Sequence, residues 1–439
     1  MITRLVMMLC LLAIGTRASA QEPYNLSAPV ANLATLFHDL FGVHGLIVDS
    51  EATLPGEQPH TAHFNSDFQF NFSKFQIALV SQLVTVPLPS PASGFTYEFD
   101  PTTGVFRRTT QGFGPILAER AETIGNHRVS FGFATQRFTF DTAEGIDLSS
   151  VPAVFTHDNA QLLGGRQDVV TTTNSIRSSV NQFVTYVTVG ITDHLDVSMA
   201  FPVVATHMTA VSEATIQRLG TTNELTHFYR QSDGSIGNER VFTATGDASG
   251  IGDVVVRVKT SVLTKPSTGV AAGVDVRVPS GDALNLLGTG APGVQPFAVL
   301  SGTIQRVSPH INVGYQWNGS SLLAGDPATG RASDFPDQFN YVVGADLNAG
   351  RLTVALDVLG RYLFDAERLG FEEFHALDGK SVFPNVTFST QSFNLLNGSL
   401  GAKINAIGRV LLDVNVLFAL DNHGVRDKVT PLLGFEYSF

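Results

Sequence analysis

Charged side chains are scarce in this chain of 439 residues: Asp, Glu, Lys and Arg make up 15% of it, whereas soluble proteins average about 25%. Apolar residues make up 43%, yet no run beyond residue 20 approaches the ~18 consecutive apolar residues that a membrane-spanning helix needs. This absence excludes a transmembrane helix. A charge-poor, apolar chain without such a helix is either a large soluble β protein or an outer-membrane β-barrel.

Cysteine is nearly absent. The single Cys10 lies in a stretch that reads as a secretory signal, with Arg4 at its start, a short apolar core and the small-residue cleavage site Ala18–Ala20. We therefore expect residues 1–20 to be removed, which leaves no cysteine for a disulfide or a thiolate metal site. Once Arg4 and Arg17 are gone, 39 acidic residues face 25 basic ones, a net charge of −14. This balance argues against nucleic acid as a partner.

Motifs for catalysis or cofactor binding are also missing. Gly246, Gly250 and Gly252 form a glycine cluster, but it runs into a strand, whereas a dinucleotide fingerprint needs a helix. No Gly-x-Ser-x-Gly elbow occurs, and His60 and His63 have no third ligand nearby in the sequence. We expect no enzyme activity, no cofactor and no metal.

From residue 126 onward, apolar residues recur with a period of two, which is typical of β-strands. Val410, Leu412, Val414 and Val416, for example, alternate with Arg409, Asp413 and Asn415. The fold class predicted is all-β: a transmembrane up-and-down antiparallel β-barrel of 12–14 strands with an N-terminal plug-like segment. The twelve strands that the pattern predicts cover residues 126–140, 167–191, 194–213, 251–263, 269–280, 293–305, 309–318, 337–348, 351–364, 386–406, 409–420 and 428–439.

The connections alternate in length, as they do in outer-membrane barrels, where tight turns face the periplasm and long loops face outward. Short turns are predicted near residues 191–194 and 264–268, and long polar loops at residues 212–250 and 365–383, among others. Phe138 and Phe140 break the parity of their strand, which we interpret as a bulge.

The last strand places three aromatic residues on its apolar face. A terminal aromatic there resembles the sorting signal of outer-membrane barrels, so the partners expected are outer-membrane lipid and, through this strand, the barrel-assembly machinery. The residues of this assembly signal are Phe435, Tyr437 and Phe439.

Residues 21–125 follow another pattern. Apolar residues at helical spacing predict a helix within residues 32–46, with Gly42 and Gly45 as stops, and residues 94–109 predict a hairpin. This segment could be a plug inside the barrel, two further wall strands, or a separate periplasmic segment. The predicted organisation is a signal peptide at 1–20, this N-terminal segment at 21–125 and the barrel at 126–439.

Four stretches carry a likeness to a known family: Gly190–Val204, Ser249–Lys259, Val278–Asp282 and Gly288–Gly290. Together they make residues 180–439 resemble the phenol-degradation meta-pathway family of outer-membrane proteins, which is grouped with fatty-acid and aromatic-hydrocarbon transporters. The resemblance implies a barrel that admits small hydrophobic compounds. In this sequence the motifs themselves read as turns and strand ends.

If the aliphatic face of the barrel meets lipid, the charged residues between the aliphatic ones point inward. They are either a network of paired charges that fills a narrow lumen or a polar pore lining that tunes selectivity. These lumen-lining candidates are Asp253, Arg257, Lys259, Asp275, Arg277, Asp346, Arg351, Asp357, Arg361 and Asp413.

A few apolar residues occur in loops that are otherwise polar. They either contact a hydrophobic ligand or simply pack within the loops. The ligand-contact candidates are Phe155, Phe228, Tyr229, Phe242, Leu286 and Leu287.

The function predicted is passive uptake of small hydrophobic or aromatic compounds through an outer-membrane channel. The alternatives are a structural or surface-binding barrel with a closed lumen and, less favoured, a hydrolase embedded in the barrel wall.

Overall fold

The computed structural model describes residues 32–41, 46–51, 62–66, 97–100, 105–108, 113–157, 167–327, 329–407 and 409–438. The predicted signal peptide, His60 and Phe439 lie outside the described residues. No helix in the described part of the chain is long and apolar enough to cross a bilayer.

Twelve antiparallel strands close into a barrel, because each pairs with the next along the chain and the last pairs with the first. This confirms the predicted all-β barrel, and the wall has twelve strands rather than fourteen. The wall strands are β1 (Val129–Phe140), β2 (Val169–Thr192), β3 (Leu195–Gln217), β4 (Val254–Lys265), β5 (Thr268–Val278), β6 (Gly293–Gly302), β7 (Val307–Asn318), β8 (Gln338–Asn348), β9 (Leu352–His375), β10 (Val382–Ile407), β11 (Val410–Ala419) and β12 (Val429–Ser438).

The period of two places aliphatic side chains outside and polar or small ones inside. On β9, Leu356 and Val358 are exposed on the outer face, whereas Thr353 and Asp357 are buried on the inner face. Burial of the polar side chains inside a closed wall leaves an aliphatic outer surface, as an outer-membrane barrel has.

Aromatic residues lie near both ends of that outer surface. Trp317 and Phe339 are exposed near the long loops, and Phe131 and Tyr437 near the short turns. Val307 and Trp317 are ten residues apart on β7, which at ~3.3 Å per residue and a tilt of about 40° spans roughly 25 Å. The two belts therefore match the height of an outer-membrane apolar band.

Two predicted long loops are wrong in part, because strands continue into them. In the first loop, residues Glu239–Ile251 form a strand that pairs with Val203–Thr215 of β3. In the second, β9 and β10 remain paired as far as His375 and Val382 at the loop end. These extensions carry polar residues on both faces, so the apolar alternation that marks membrane-crossing strands ends before the strands themselves do.

The predicted bulge at Phe138 and Phe140 is also wrong. β1 pairs with β2 without any register shift, and Phe140 lies opposite Ser178. Both rings point into the barrel and are buried. The parity change in the sequence has another cause: here the inside of the barrel is apolar.

The N-terminal segment contains the predicted helix, and its predicted stops Gly42 and Gly45 lie outside the described residues. A 3-10 turn at Leu33–Thr35, capped by the Asn32 side chain, which accepts a hydrogen bond from the Thr35 backbone N–H at 3.1 Å, leads into helix α1 (Leu36–Phe41). The predicted hairpin is present as Tyr97–Asp100 paired with Val105–Arg108.

The remaining short elements lie outside the closed wall. Leu46–Val48, Ala62–Asn65 and Val151–His157 extend the sheet beside the loop end of β2. The others are Thr142–Ala143, Ile146–Asp147, Tyr229–Arg230, Ile236–Gly237, Ser320–Asp326, Arg331–Asp334 and Val425–Arg426, with a 3-10 turn at Ala283–Asn285.

Candidate functional site

The loop end of the lumen is filled on one side by an apolar core. Residues Leu33–Phe41, here called the inner helix, pack against the inner faces of β1, β2 and β3 and the Glu239–Ile251 strand. Leu36 and Phe37 are completely buried. Close contact is possible because Gly246 presents no side chain toward Leu33. The inner helix thus contributes a hydrophobic core inside the barrel.

The loop residues proposed as ligand contacts belong to this core or to its surroundings. The Phe41 ring centroid lies 4.9 Å from that of Phe155 and 5.5 Å from that of Phe242. Five of the six candidates are buried, and Phe242 is half-buried against the same core. This burial favours the packing alternative for Phe155, Phe228, Tyr229, Phe242, Leu286 and Leu287, and their contact with a hydrophobic ligand stays a prediction.

A coil of thirteen residues, Phe113–Gly125, crosses the lumen at the short-turn end; we call it the floor segment. Its backbone is bonded to inward-pointing wall side chains. Phe113 N–H donates to Thr353 Oγ1 at 3.0 Å, Ala121 N–H donates to Ser301 Oγ at 3.1 Å, and Lys259 Nζ donates to the Arg120 carbonyl at 3.1 Å. The wall residues bonded to the floor segment come from seven strands: Asp196, Arg257, Lys259, Ser301, Asn312, Asp346, Thr353 and Lys403.

Glu119 is the principal charge of the floor segment. Its carboxylate accepts hydrogen bonds from Arg257 and, at 3.0 Å, from Lys259 Nζ. Arg257 also forms a two-point pair with Asp275, with both N–O distances at 2.7 Å. Because Glu119 and Asp275 together balance Arg257 and Lys259, removal of Glu119 would leave one buried positive charge without its partner.

A second buried charge cluster lies beside the floor segment. His310 Nε2 is 2.7 Å from an Asp357 oxygen, and its Nδ1 is 3.5 Å from Asp346. Arg120 of the floor segment reaches the same Asp346 at 3.3 Å. Sequence reasoning missed His310, although its inward parity on β7 was a signal that could have found it.

Nine of the ten predicted lumen residues point into the barrel. Arg351 does not, because it lies in the exposed turn between β8 and β9, and its assignment to the lumen is corrected. In the sequence, Arg351 is spaced like the inward residues of β9, but it lies in the turn before that strand, where the wall no longer encloses it. The nine are Asp253, Arg257, Lys259, Asp275, Arg277, Asp346, Asp357, Arg361 and Asp413.

The side of the lumen opposite the inner helix is open. A cavity of about 200 Å³ lies above the floor segment, against the inner faces of β4 to β12. Carboxamides that sequence reasoning missed form much of its polar wall, and their inward parity was the available signal. They are Gln295, Asn312, Gln316, Asn340 and Asn397.

At the loop end of this cavity, Asp427 is held in place by three hydrogen bonds. Its carboxylate accepts from the backbone N–H groups of Thr139 and Val429, both at 3.1 Å, and from Thr430 Oγ1 at 2.7 Å. Burial raises the pKa of this carboxyl. The bonds tie the β11–β12 connection to β1 across the closure of the barrel.

The two described residues of the predicted assembly signal, Phe435 and Tyr437, lie on the outer face. Phe435 is opposite Phe133, and Tyr437 is opposite Phe131, across the β12–β1 pair that closes the wall. Tyr437 is 39% exposed and belongs to the belt at the short-turn end. Phe439 is outside the described residues.

Metal ligands are not grouped: no set of three His, Cys, Asp or Glu side chains that could hold a metal ion occurs within the residues that the structure covers. His63 is on the Ala62–Asn65 strand, away from the barrel wall.

A closed wall of twelve strands, an aliphatic outer face between two aromatic belts and a polar interior define a β-barrel protein of the outer membrane. Residues 158–365, which include strands β2 to β8 and most of β9, match the family described as "Putative MetA-pathway of phenol degradation". The resemblance inferred from the sequence is thereby confirmed for residues 158–365.

Three solved structures are similar to this chain at low sequence identity. An outer-membrane channel from Pseudomonas putida F1 is 13% identical, with a TM-score of 0.45, over 73% of this chain and 98% of that one. The NanC porin is 8% identical, with a TM-score of 0.34, over 70% and 98%. A Pseudomonas aeruginosa FadL homologue is 7% identical, with a TM-score of 0.28, over 71% and 88%. No curated protein matches the sequence.

Proposed function

We propose that this protein is an outer-membrane channel for passive uptake of small hydrophobic or aromatic compounds, in which the floor segment closes the periplasmic end. The observation that carries the proposal is the cavity of about 200 Å³ directly above a thirteen-residue coil. This coil crosses the lumen on that side and is not part of the wall.

The way the floor segment is attached supports a movable closure. Its contacts with the wall combine hydrogen bonds and ion pairs, of which Glu119 with Arg257 and Lys259 is the principal set, with apolar contacts of Phe113, Ile116, Leu117 and Ala121. Water can replace the polar contacts one by one, whereas the inner helix is held by burial in a much larger apolar core. A displaced floor segment would connect the cavity to the periplasm without opening the wall.

The cavity lining supports a small solute with apolar surface. Leu117, Leu359, Leu417 and Val342 form an apolar patch next to the floor segment, and carboxamides line the wall above it. The family description, which names phenol degradation, agrees with an aromatic solute.

The test is solute flux through purified protein in liposomes, with single-channel conductance as a second readout. The mature chain is compared with a variant that lacks residues 21–125, because the first wall strand begins only at Val129. We expect little conductance from the full chain and a large increase on deletion, with phenol entering faster than a sugar of similar size.

The control is a variant that lacks only residues 21–31, which lie before the inner helix and should leave conductance unchanged. Silence from both the full chain and the long deletion, with the barrel folded, would contradict a channel. That result would favour the closed-lumen structural barrel instead.

A further inference from the structure

The size of the lumen cavity limits its occupant. It measures about 200 Å³, and an apolar cavity of about 150 Å³ in another protein holds one benzene molecule. The space therefore suits a single aromatic ring that carries one small substituent.

The two ends of the cavity differ in chemistry. The end next to the floor segment is the apolar patch of Leu117, Val342, Leu359 and Leu417. At the loop end, Arg277 and Gln316 lie side by side against Gly293, whose lack of a side chain leaves room for both. A ligand that fits both ends has an apolar body and a polar head.

The loop end of the cavity holds charges of both signs, among them Arg277 and Asp427. The Arg257 guanidinium is already paired with Asp275 and Glu119. Arg277 is 3.7 Å from Asp253, but the oxygens of that carboxylate accept hydrogen bonds from Gly281 N–H and from the N–H and Oγ1 of Thr289. Asp253 therefore forms an ion pair with Arg277 but makes no hydrogen bond to its guanidinium.

One donor of Arg277 is unused. Its Nε donates to the Ala291 carbonyl and its Nη2 to Asn318 Oδ1 at 2.6 Å, whereas Nη1 is buried and has no hydrogen-bond partner among the described residues. The Arg277 side chain is 3% exposed. A buried guanidinium N–H group rarely lacks a hydrogen-bond partner. A carboxylate is the group that a guanidinium binds best.

We propose that the cavity binds a single-ring aromatic monocarboxylate, with its carboxylate on Arg277 and its ring on the apolar patch. The inference rests on the proposed channel function and names its substrate class. A neutral ring alcohol fits the same space and can accept a hydrogen bond, but it cannot form an ion pair with the guanidinium.

The test uses the purified full-length mature protein in detergent and two probes of similar size, benzoate and benzyl alcohol, measured by isothermal titration calorimetry at neutral pH. We expect benzoate to bind at least tenfold more tightly than benzyl alcohol. In Arg277→Gln, benzoate affinity should fall about tenfold or more, with benzyl alcohol changed less than twofold. Arg351→Gln, in the exposed turn, is the matched control and should change neither.

Equal affinity for the two probes, or unchanged benzoate affinity in Arg277→Gln, would overturn the proposal. If Arg277→Gln fails to fold, Arg277→Lys keeps the charge and replaces the test: benzoate should bind more weakly than to the native protein but still more tightly than benzyl alcohol. Flux of phenol through the deletion variant separates the two ideas. If phenol passes but benzoate is not preferred, only this inference is overturned. If phenol does not pass at all, the proposed channel function is overturned as well.

Discussion

The two sides of the lumen are built from the same wall but hold different contents. Along β1 to β3 the inward face is apolar near the loops, and the inner helix covers it. Along β5 to β11 the inward face carries carboxamides and arginines, and a cavity lies against it. The contrast shows that the inward residues of each strand are matched to what lies inside, and that the wall alone does not decide whether a barrel is filled or open.

The largest expected effect lies on the filled side. Phe37→Ala should cost about 3–5 kcal/mol, because Phe37 is completely buried in the core. At about 1.4 kcal/mol per tenfold, hydrogen-exchange protection of the amides in α1 should fall at least a hundredfold. Phe371→Ala, whose ring is 61% exposed on the β9 extension, is the control and should stay within about 0.5 kcal/mol. Equal losses in both variants would remove the distinction between the filled side and the surface.

The floor segment below the open side should respond to loss of one charge. Glu119→Gln leaves Arg257 and Lys259 without their shared acid, at a cost of about 3 kcal/mol. The floor segment should then detach more often, seen as more frequent channel openings and faster proteolysis within residues 113–125. The exposed Glu373→Gln serves as the comparison and should leave both unchanged. A floor segment that stays closed in Glu119→Gln would mean that the ion pairs do not hold it.

Larger side chains should distinguish the filled side from the open side with the smallest change in the free energy of unfolding. Ala210→Leu enlarges a fully buried residue of the filled side and should cost about 1–3 kcal/mol. Val342→Phe adds more atoms, but it faces the cavity and should cost less than about 0.5 kcal/mol while slowing solute flux. Urea unfolding in detergent and liposome flux measure the two effects. A larger cost for Val342→Phe would show that the open side is packed.

The wall was predictable because apolar residues that face lipid alternate along each strand with polar residues that face the lumen. Val354 and Val414 face outward while Asp357 and Asp413 face inward, so a period of two is enough to count twelve strands and assign their faces. The short turns also followed from that pattern. The family resemblance pointed to the same barrel.

The contents of the lumen were not predictable in the same way. The floor segment has no period, and its contacts join residues far apart in sequence, such as Phe113 with Thr353. Phe138 and Phe140 broke the outward parity because their partner is the inner helix region, which sequence alone does not place. Arg351 kept the inward parity but lies past the end of the wall.

The most direct test of the outer-membrane barrel uses the single tryptophan. Trp317 is the only Trp in the chain and is 53% exposed on the outer face, in the aromatic belt near the loops. In vesicles made with phospholipids brominated on the acyl chain near the headgroup, its fluorescence should be strongly quenched, while aqueous iodide should quench it weakly. Strong quenching by iodide with none by brominated lipid would contradict an outer face in contact with the membrane.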